Sequence, residues 1–379
     1  MPDKNNRNNN GKEPTLLQTE NGNRLKTLVF RVSDENFDSV LDRAADIINN
    51  GGTVAFPTET VYGLGADGLN PEAVLKIFKA KERPPRNPLS LLVHSKEDIK
   101  KVAKNVPENA FKLMDAFWPG PLTIILEKND IVPDITSGNL QSIGVRMPDH
   151  RIPLELIKRA GTPLAAPSAN LSGKPSPSLA AHVISDLTGR IDAILDGGKA
   201  DIGLESTVID MTVEPPVVLR PGAVSIEELE SIIGKVRLGY KSSKVENEPD
   251  LSEKKAGQKY GHYTPDTEVV LVEGEGKPVS DKLVKLLDNY RSKGQKVGLL
   301  LSEETAAFLS MKNLSPDNCF LLGSRKEPEI AARKLFEGLR KLDRKGLDVI
   351  VADGSFSRSG LGEALINRLR EASSRKFVV

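Results

Sequence analysis

With 379 residues, the chain is longer than one comfortable core and predicts two domains, each large enough to fold unaided. Lysine plus arginine number 53 against 52 acids, a net charge of +1, which argues against a general phosphate-backbone binder driven by counterion release. Hydrophobic residues at 38% with only 4% aromatic suit a core of Val, Ile, Leu and Ala rather than an aromatic platform for single strands. The single cysteine, Cys319, can form neither an internal disulfide nor a cysteine metal cluster, so a reducing, cytoplasmic address is expected.

Met1 to Asn6 carries no apolar signal core and no eighteen apolar residues run together, so neither secretion nor a membrane span is expected. Residues 1–24 are asparagine-rich and nearly without apolar side chains; they bury too little to offset the entropy of ordering and read as a disordered tail. From Thr27 to Val32 onward, short β-branched runs alternate with helical patterns. Periodicity predicts strands at Thr27–Val32, Thr53–Pro57, Leu89–Val93, Leu122–Leu126, Ser142–Arg146, Ala193–Leu195, Thr207–Asp210 and Val217–Arg220. Helices are predicted at Phe37–Asn49, Pro71–Lys81, Pro107–Phe117, Leu154–Ala160 and Ser178–Leu187. That alternation is α/β, and no repeat of 20–50 residues marks a solenoid.

From Arg237 to Lys259 the chain carries Ser242, Ser243, Pro249, Gly257 and mixed charges with hardly a core residue, the composition of a linker. Beyond it, four predicted strands (Val269–Val272, Val297–Leu301, Phe320–Leu322, Val349–Ala352) alternate with helices at Val279–Arg291, Glu304–Leu309, Pro328–Arg344 and Gly362–Ala372. This reads as a compact, mostly parallel three-layer unit. Its first strand-to-helix junction, Glu273 to Lys277, has two glycines but also two acids, a poor seat for phosphate.

Chemistry-bearing residues concentrate in the first domain. Thr58, Thr60 and Tyr62 follow an apolar strand, and Gly63 and Gly65 would let backbone amides approach a small polar ligand. After helix Pro71–Lys81, prolines 84, 85 and 88 stiffen the chain in extended geometry, so Lys81 and Arg83 would project in fixed directions as a point charge and a planar fork suited to polyphosphate. The bland alternative is that these cations only complement a helix C-terminus. Ser168 and Asn170 leave another strand end, where α/β sheets place ligand groups. No Gly-x-Ser-x-Gly elbow surrounds Ser168 and none of the four histidines comes with a recognisable orienting acid, so nucleophilic serine catalysis is disfavoured. Arg146 and Arg220 each follow an apolar run and precede a Pro-containing turn, which favours a cleft clamping carboxylate or phosphate over a solvated face.

The motifs Phe56-Pro57-Thr58-Glu59-Thr60-Val61-Tyr62-Gly63-Leu64-Gly65, Lys81-x-Arg83, Trp118-Pro119-Gly120-Pro121-Leu122-Thr123, Ser168-x-Asn170 and Glu205-Ser206-Thr207 together resemble the YrdC-like domain over about residues 26–235. Lys259-Tyr260-Gly261-His262-Tyr263-Thr264-Pro265 and the segment Gly360 to Arg370 extend the likeness to the two-domain threonylcarbamoyl-AMP synthase family. The resemblance implies a twisted mixed-sheet YrdC-like domain followed by a smaller three-layer α/β/α, Rossmann-like domain. The expected organisation is a tail at 1–24, a catalytic domain at 25–236, a linker and active-site lid at 237–266, and a C-terminal domain at 267–379.

It further implies synthesis of L-threonylcarbamoyl-AMP and pyrophosphate from L-threonine, bicarbonate or CO2, and ATP with Mg2+, for a downstream transferase that modifies an adenosine beside the tRNA anticodon. By motif position, Lys81, Arg83, Ser168 and Asn170 would be catalytic. Asn87, Ser142, Ser168, Ser176, Arg83 and Arg220 would hold ATP, with His262 and Tyr263 as a lid. Thr60, His94, Arg146, Ala166 and Ser206 would form the threonine pocket, with Thr58 and Tyr62 as close second choices. No protein metal ligand is expected. The competing class is an RNA-binding module of the YrdC-like type without synthase activity, with only weak RNA contact through the basic run Lys76–Arg86. Transfer from carbamoyl-adenylate is a third reading, disfavoured because such proteins carry zinc-finger cysteines.

Overall fold

The computed structural model describes residues 14–17, 26–240, 263–311 and 318–379. Twelve strands form the first sheet: β1 (Thr15–Leu17), β2 (Thr27–Arg31), β3 (Val54–Phe56), β4 (Gly63–Asp67), β5 (Ser90–Leu92), β6 (Leu122–Glu127), β7 (Ser142–Arg146), β8 (Leu164–Ala165), β9 (Ala193–Asp196), β10 (Thr207–Asp210), β11 (Val217–Arg220) and β12 (Arg237–Leu238). Across the sheet they run β1-β2-β9-β3-β4-β8-β5-β7-β6-β10-β11-β12. Pairing is mixed, parallel for β2–β9 and β6–β10 and antiparallel for β3–β4 and β6–β7, as the resemblance implies.

Strand alternation splits the apolar residues between two cores. Val54 and Phe56 join helices Phe37–Asn49 and Arg151–Ala160 on one face, while Ala55 and Leu64 join helices Pro71–Lys81, Glu108–Phe117 and Ala180–Leu187 on the other. Helix Pro71–Lys81 starts where the Asn70 side chain accepts from the backbone amides of Glu72 and Ala73, with Pro71 in the first turn, a favourable N-terminus.

Two boundaries differ from expectation. The stretch 1–24, expected as a disordered tail, contains β1, which pairs antiparallel with β2, Thr15 opposite Val29; backbone hydrogen bonds supply what its sparse apolar side chains do not. The stretch expected as linker begins inside the sheet, because β12 runs parallel to β11. Its residues 241–262, including His262, lie outside the described ones.

Periodicity also passes over β4 and helix Ile226–Ile233. Gly63, Gly65 and Asp67 mask strand alternation in the first. The second opens with a capping box, Ser225 with Glu228, that the sequence does display.

The second domain is a five-stranded sheet: β13 (Glu268–Glu273), β14 (Val297–Ser302), β15 (Cys319–Gly323), β16 (Val349–Gly354) and β17 (Arg375–Val378), in the order β15-β14-β16-β13-β17. All its pairs are parallel. Helices Gly276–Ser292 and Glu303–Met311 cover one face and Pro328–Asp343 and Leu361–Ala372 the other, the three layers expected, with β17 the unforeseen fifth strand. The second face is turned onto the first domain, since Val61 and Leu204 pack in one cluster with Phe336, Leu339 and Leu365.

Candidate active site

Loops at strand ends line an open cleft with a cavity volume of about 110 Å3. It is lined by Thr58 and Thr60–Tyr62 between β3 and β4, Gly63 at the start of β4, Arg83, Pro88 and Leu89 before β5, Ser90 at its start, residues between Ala166 and Ser176 after β8, Glu205 and Ser206 before β10, Thr123 in β6, Arg146 at the end of β7 and Arg220 at the end of β11. Backbone bonds fix the loops to one another: Tyr62 N donates to Pro177 O, Leu64 N to Pro167 O and Ala169 N to Tyr62 O, each at 2.8 Å. The glycines serve packing more than ligand approach. Phe56, wholly buried, lies opposite Gly63, and a Cβ on Gly65 would come within 2.6 Å of the Phe56 ring.

The hydroxyls of the first loop divide by role. Thr58 Oγ1 donates to Val61 O at 2.7 Å and accepts from the amides of Thr60 and Val61, and Tyr62 Oη donates to Gly198 O at 2.6 Å. Both therefore shape the loop, while the Thr60 hydroxyl, among the described residues, meets only Thr58 Oγ1, at 2.8 Å.

Lys81 and Arg83 are fixed by a helix end rather than by extended proline geometry. Glu82 adopts the left-handed conformation at φ 53°, and Glu82 N and Arg83 N return to the carbonyls of Lys79 and Phe78, a C-terminal cap that sets both directions. Lys81 is 2% exposed and does not line the cleft; its Nζ donates to Ser168 O and, at 2.6 Å, to Asn170 O. Burial first and then the Arg83 charge push its ammonium well below the usual lysine range. Arg83 faces the cleft, donates through Nη2 to Pro88 O at 3.1 Å, and is brought down by burial to about 10. Arg83 Nε and Asn170 Oδ1 are buried without a hydrogen-bond partner, the condition of groups prepared for a polar ligand.

Arg146 is 7% exposed, donates through Nε to Gly120 O at 3.1 Å, and meets Glu59 at 2.6 Å. Ser206 Oγ lies 2.7 Å from Thr123 Oγ1, and the Arg220 guanidinium donates to Ser206 O and Oγ at 3.0–3.1 Å. Burial lowers the Arg220 pKa from its ordinary value. Ser176 donates to Glu205. Burial draws the Glu205 carboxyl upward, but Arg368 and Arg220 outweigh it and hold it below the usual range.

The end of the expected lid closes this wall. Tyr263 lines the cleft and stacks on Phe336 at 5.1 Å between ring centroids, Thr264 N donates to Gly173 O at 2.7 Å, and Asp266 pairs with Lys174.

Of the residues assigned by motif, Thr58, Thr60, Tyr62, Arg83, Arg146, Ala166, Ser168, Asn170, Ser176, Ser206, Arg220 and Tyr263 share this cleft. Besides Lys81, which braces the cleft from behind, three described residues stand apart from its walls. His94 pairs with Asp98 at 2.6 Å, Asn87 sits in the turn whose amide returns to Pro84 O, and Ser142 lines a second concavity with Glu127 and Gln141.

Two family models match the chain, one described as telomere recombination over residues 46–222 and one as the threonylcarbamoyl-AMP synthase C-terminal domain over 224–374. The threonylcarbamoyl-AMP synthase of Pyrococcus abyssi is 45% identical over 93% of this chain and 99% of its own length. The chain belongs to the threonylcarbamoyl-AMP synthase family. The Bacillus subtilis member is 40% identical over 90% of this chain and 95% of its own. A crystal structure of Pyrococcus abyssi Sua5 complexed with L-threonine superposes with a TM-score of 0.85 at 44% identity, covering 93% of this chain and 100% of that one.

Within this family architecture, the motif reading passes over Glu59, Glu205 and Lys174, whose side chains line or brace the cleft, and all of the second domain's contribution. Arg368 and Arg340 reach across from that domain, to Glu205 and to Asp186. A signal for Arg368 is present in the sequence: Leu361, Ala364, Leu365 and Ala372 lie a helical turn or two from it, and a charge on such an apolar stripe must find a buried partner.

Proposed function

We propose that this chain is an L-threonylcarbamoyladenylate synthase, joining L-threonine, bicarbonate or CO2, and ATP into L-threonylcarbamoyl-AMP with release of pyrophosphate. The observation that carries the reading is the convergence of Arg83, Arg146, Lys174 and Arg220 with Thr60, Ser206 and Asn170 on one cleft. Such a cleft suits two anions at once, an amino-acid carboxylate and a polyphosphate.

The nucleophile in this chemistry is the carbamate formed on the threonine amine, whose oxygen bonds the α-phosphorus as the bond to pyrophosphate breaks. The protein then needs only to position substrates and neutralise charge, and none of the described histidines lines the cleft. Arg146 would clamp the threonine carboxylate, with Thr60 and Ser206 facing its hydroxyl and Ala166 beside them; His94, assigned by motif position, stands outside the cleft walls and would have to move in to join the pocket. Arg83 and Arg220 would meet the phosphates, Lys81 would act from behind by holding Ser168 and Asn170, and Ser176 and Tyr263 would bound the nucleotide from the cleft walls; Asn87, Ser142 and His262 keep a nucleotide role by motif position alone.

Among the described residues no three or more His, Cys, Asp or Glu converge as a metal cage, and Glu205 in the cleft and Glu59 beside Arg146 both face arginines. Magnesium would arrive on the ATP phosphates. The product would pass, in the cytoplasm, to a transferase acting on tRNA. No described helix is long and apolar enough to cross a membrane.

Incubating the purified chain with ATP, magnesium and bicarbonate tests the reading, with pyrophosphate measured with and without L-threonine and with serine as control. Threonine- and bicarbonate-dependent release is the expected result. RNA affinity that survives Lys81→Ala and ignores ATP, without such release, would replace it with the RNA-binding reading.

A further inference from the structure

We propose that Arg368, on helix Leu361–Ala372 of the second domain, is a positioning residue for the nucleotide half of the cleft, neutralising Glu205 and seating Tyr263. This rests on the synthase reading above. Arg368 is 0% exposed and does not itself line the cleft. Its Nε donates to Glu205 Oε2 at 2.8 Å, its Nη2 to Pro221 O at 3.0 Å and its Nη1 to Asn367 Oδ1 at 2.8 Å. The guanidinium carbon lies 5.6 Å from the Tyr263 ring centroid, and the same ring stacks on Phe336.

One carboxylate thus links the second domain to the cleft. Glu205 Oε1 accepts from Ser176, and the next residue in the chain, Ser206, accepts from Arg220. Glu205 also lines the cleft beside Arg83, Lys174 and Arg220, the cations that suit a polyphosphate. An uncompensated carboxylate there would repel the phosphates through a low-dielectric path that strengthens the repulsion. Arg368 cancels that charge without occupying substrate space, and it leaves Glu205 able to orient Ser176. The second domain accordingly backs the phosphate-facing wall, although it offers no group to the reacting atoms.

The test uses the full chain and three variants: Arg368→Met, Glu205→Gln and the double variant. Dissociation constants for ATP are measured by calorimetry, alongside KM for ATP and for threonine. Arg368→Met is expected to weaken ATP about tenfold or more while the threonine KM moves by less than about threefold, because it strands a buried charge facing the phosphates. The double variant, with a neutral amide still able to accept from Ser176, is expected to recover most of that loss. A simple glue between domains would show neither the substrate bias nor the rescue.

Arg368→Met that binds ATP like the unaltered chain, or a double variant as weak as Arg368→Met, overturns the proposal. Should Arg368→Met not fold, the double variant decides: ATP affinity within about threefold of the unaltered chain supports the proposal and a larger loss overturns it. An unaltered chain without threonine-dependent pyrophosphate release would sink the synthase reading instead, and the ATP affinities would still decide the role of Arg368.

Discussion

Arg146, which lines the cleft, forms an ion pair 2.6 Å long with Glu59, the two being 7% and 5% exposed. A buried arginine needs a partner for its charge, and Glu59, three residues before Tyr62 on the adjoining loop, supplies it for the proposed carboxylate clamp when no substrate is bound.

Arg146→Met should therefore damage stability and binding together, by about 3–5 kcal/mol for the stranded Glu59 and by about a hundredfold in threonine KM. Adding Glu59→Gln should restore the melting temperature and leave threonine binding lost. Thermal melts combined with threonine titration separate the effects; threonine binding restored in the double variant would remove Arg146 from the pocket.

Lys81 and Arg83, two residues apart, should fail differently. Arg83→Ala removes a cleft-facing group, so turnover should fall by about two to three orders of magnitude with little change in melting temperature. Lys81→Met also strands the carbonyls of Ser168 and Asn170, which should cost about 1–3 kcal/mol for each carbonyl as well as turnover. Steady-state kinetics beside urea unfolding measures both; equal stability of the two variants would contradict the bracing role of Lys81.

Tyr263, at the end of the segment proposed as a lid, stacks on Phe336 of the second domain and lines the cleft of the first. Tyr263→Ala should raise the ATP KM by about tenfold and make the segment around Lys254–Lys259 easier to cleave in the presence of ATP and threonine. Limited proteolysis followed by mass spectrometry reads the second effect, and a cleavage rate that substrates do not slow in the unaltered chain would count against a lid.

In the second domain, Glu273 is 4% exposed and meets Arg358 at 2.5 Å and Arg370. Burial opposes ionisation, but the two guanidiniums bring its carboxyl from 4.5 down to about 2. Between those values the unfolded chain binds more protons than the folded one, so the stabilisation is complete above about 4.5 and is lost as pH falls to about 2. Glu273→Gln should cost on the order of 3 kcal/mol at pH 7, and its deficit in urea unfolding should shrink steadily across that acid window. A deficit independent of pH would show that charge is not what Glu273 contributes.

Local rules carry far in this chain. Helix Pro71–Lys81 is bounded by Asn70 and Pro71 in the sequence and appears on the predicted residues, as do β7, β10 and β11, because hydrophobic period and capping chemistry act over a few residues. The site motifs are legible for a similar reason: hydroxyls and arginines at strand ends fall where an α/β sheet opens its crevice.

What the sequence determined by itself is the α/β class, the break between two domains, and the short motifs that place the chain in its family. Only the tertiary structure decided which groups meet. It spends the Thr58 and Tyr62 hydroxyls on the loop, turns Lys81 inward beneath Ser168 and Asn170, and brings Glu59 to Arg146 and Arg368 to Glu205 across 87 and 163 residues of chain. Those pairings depend on how the strands of the first sheet are ordered and on how the helical face of the second domain packs onto the first, and a buried charge finds its partner through that packing rather than through any spacing along the chain.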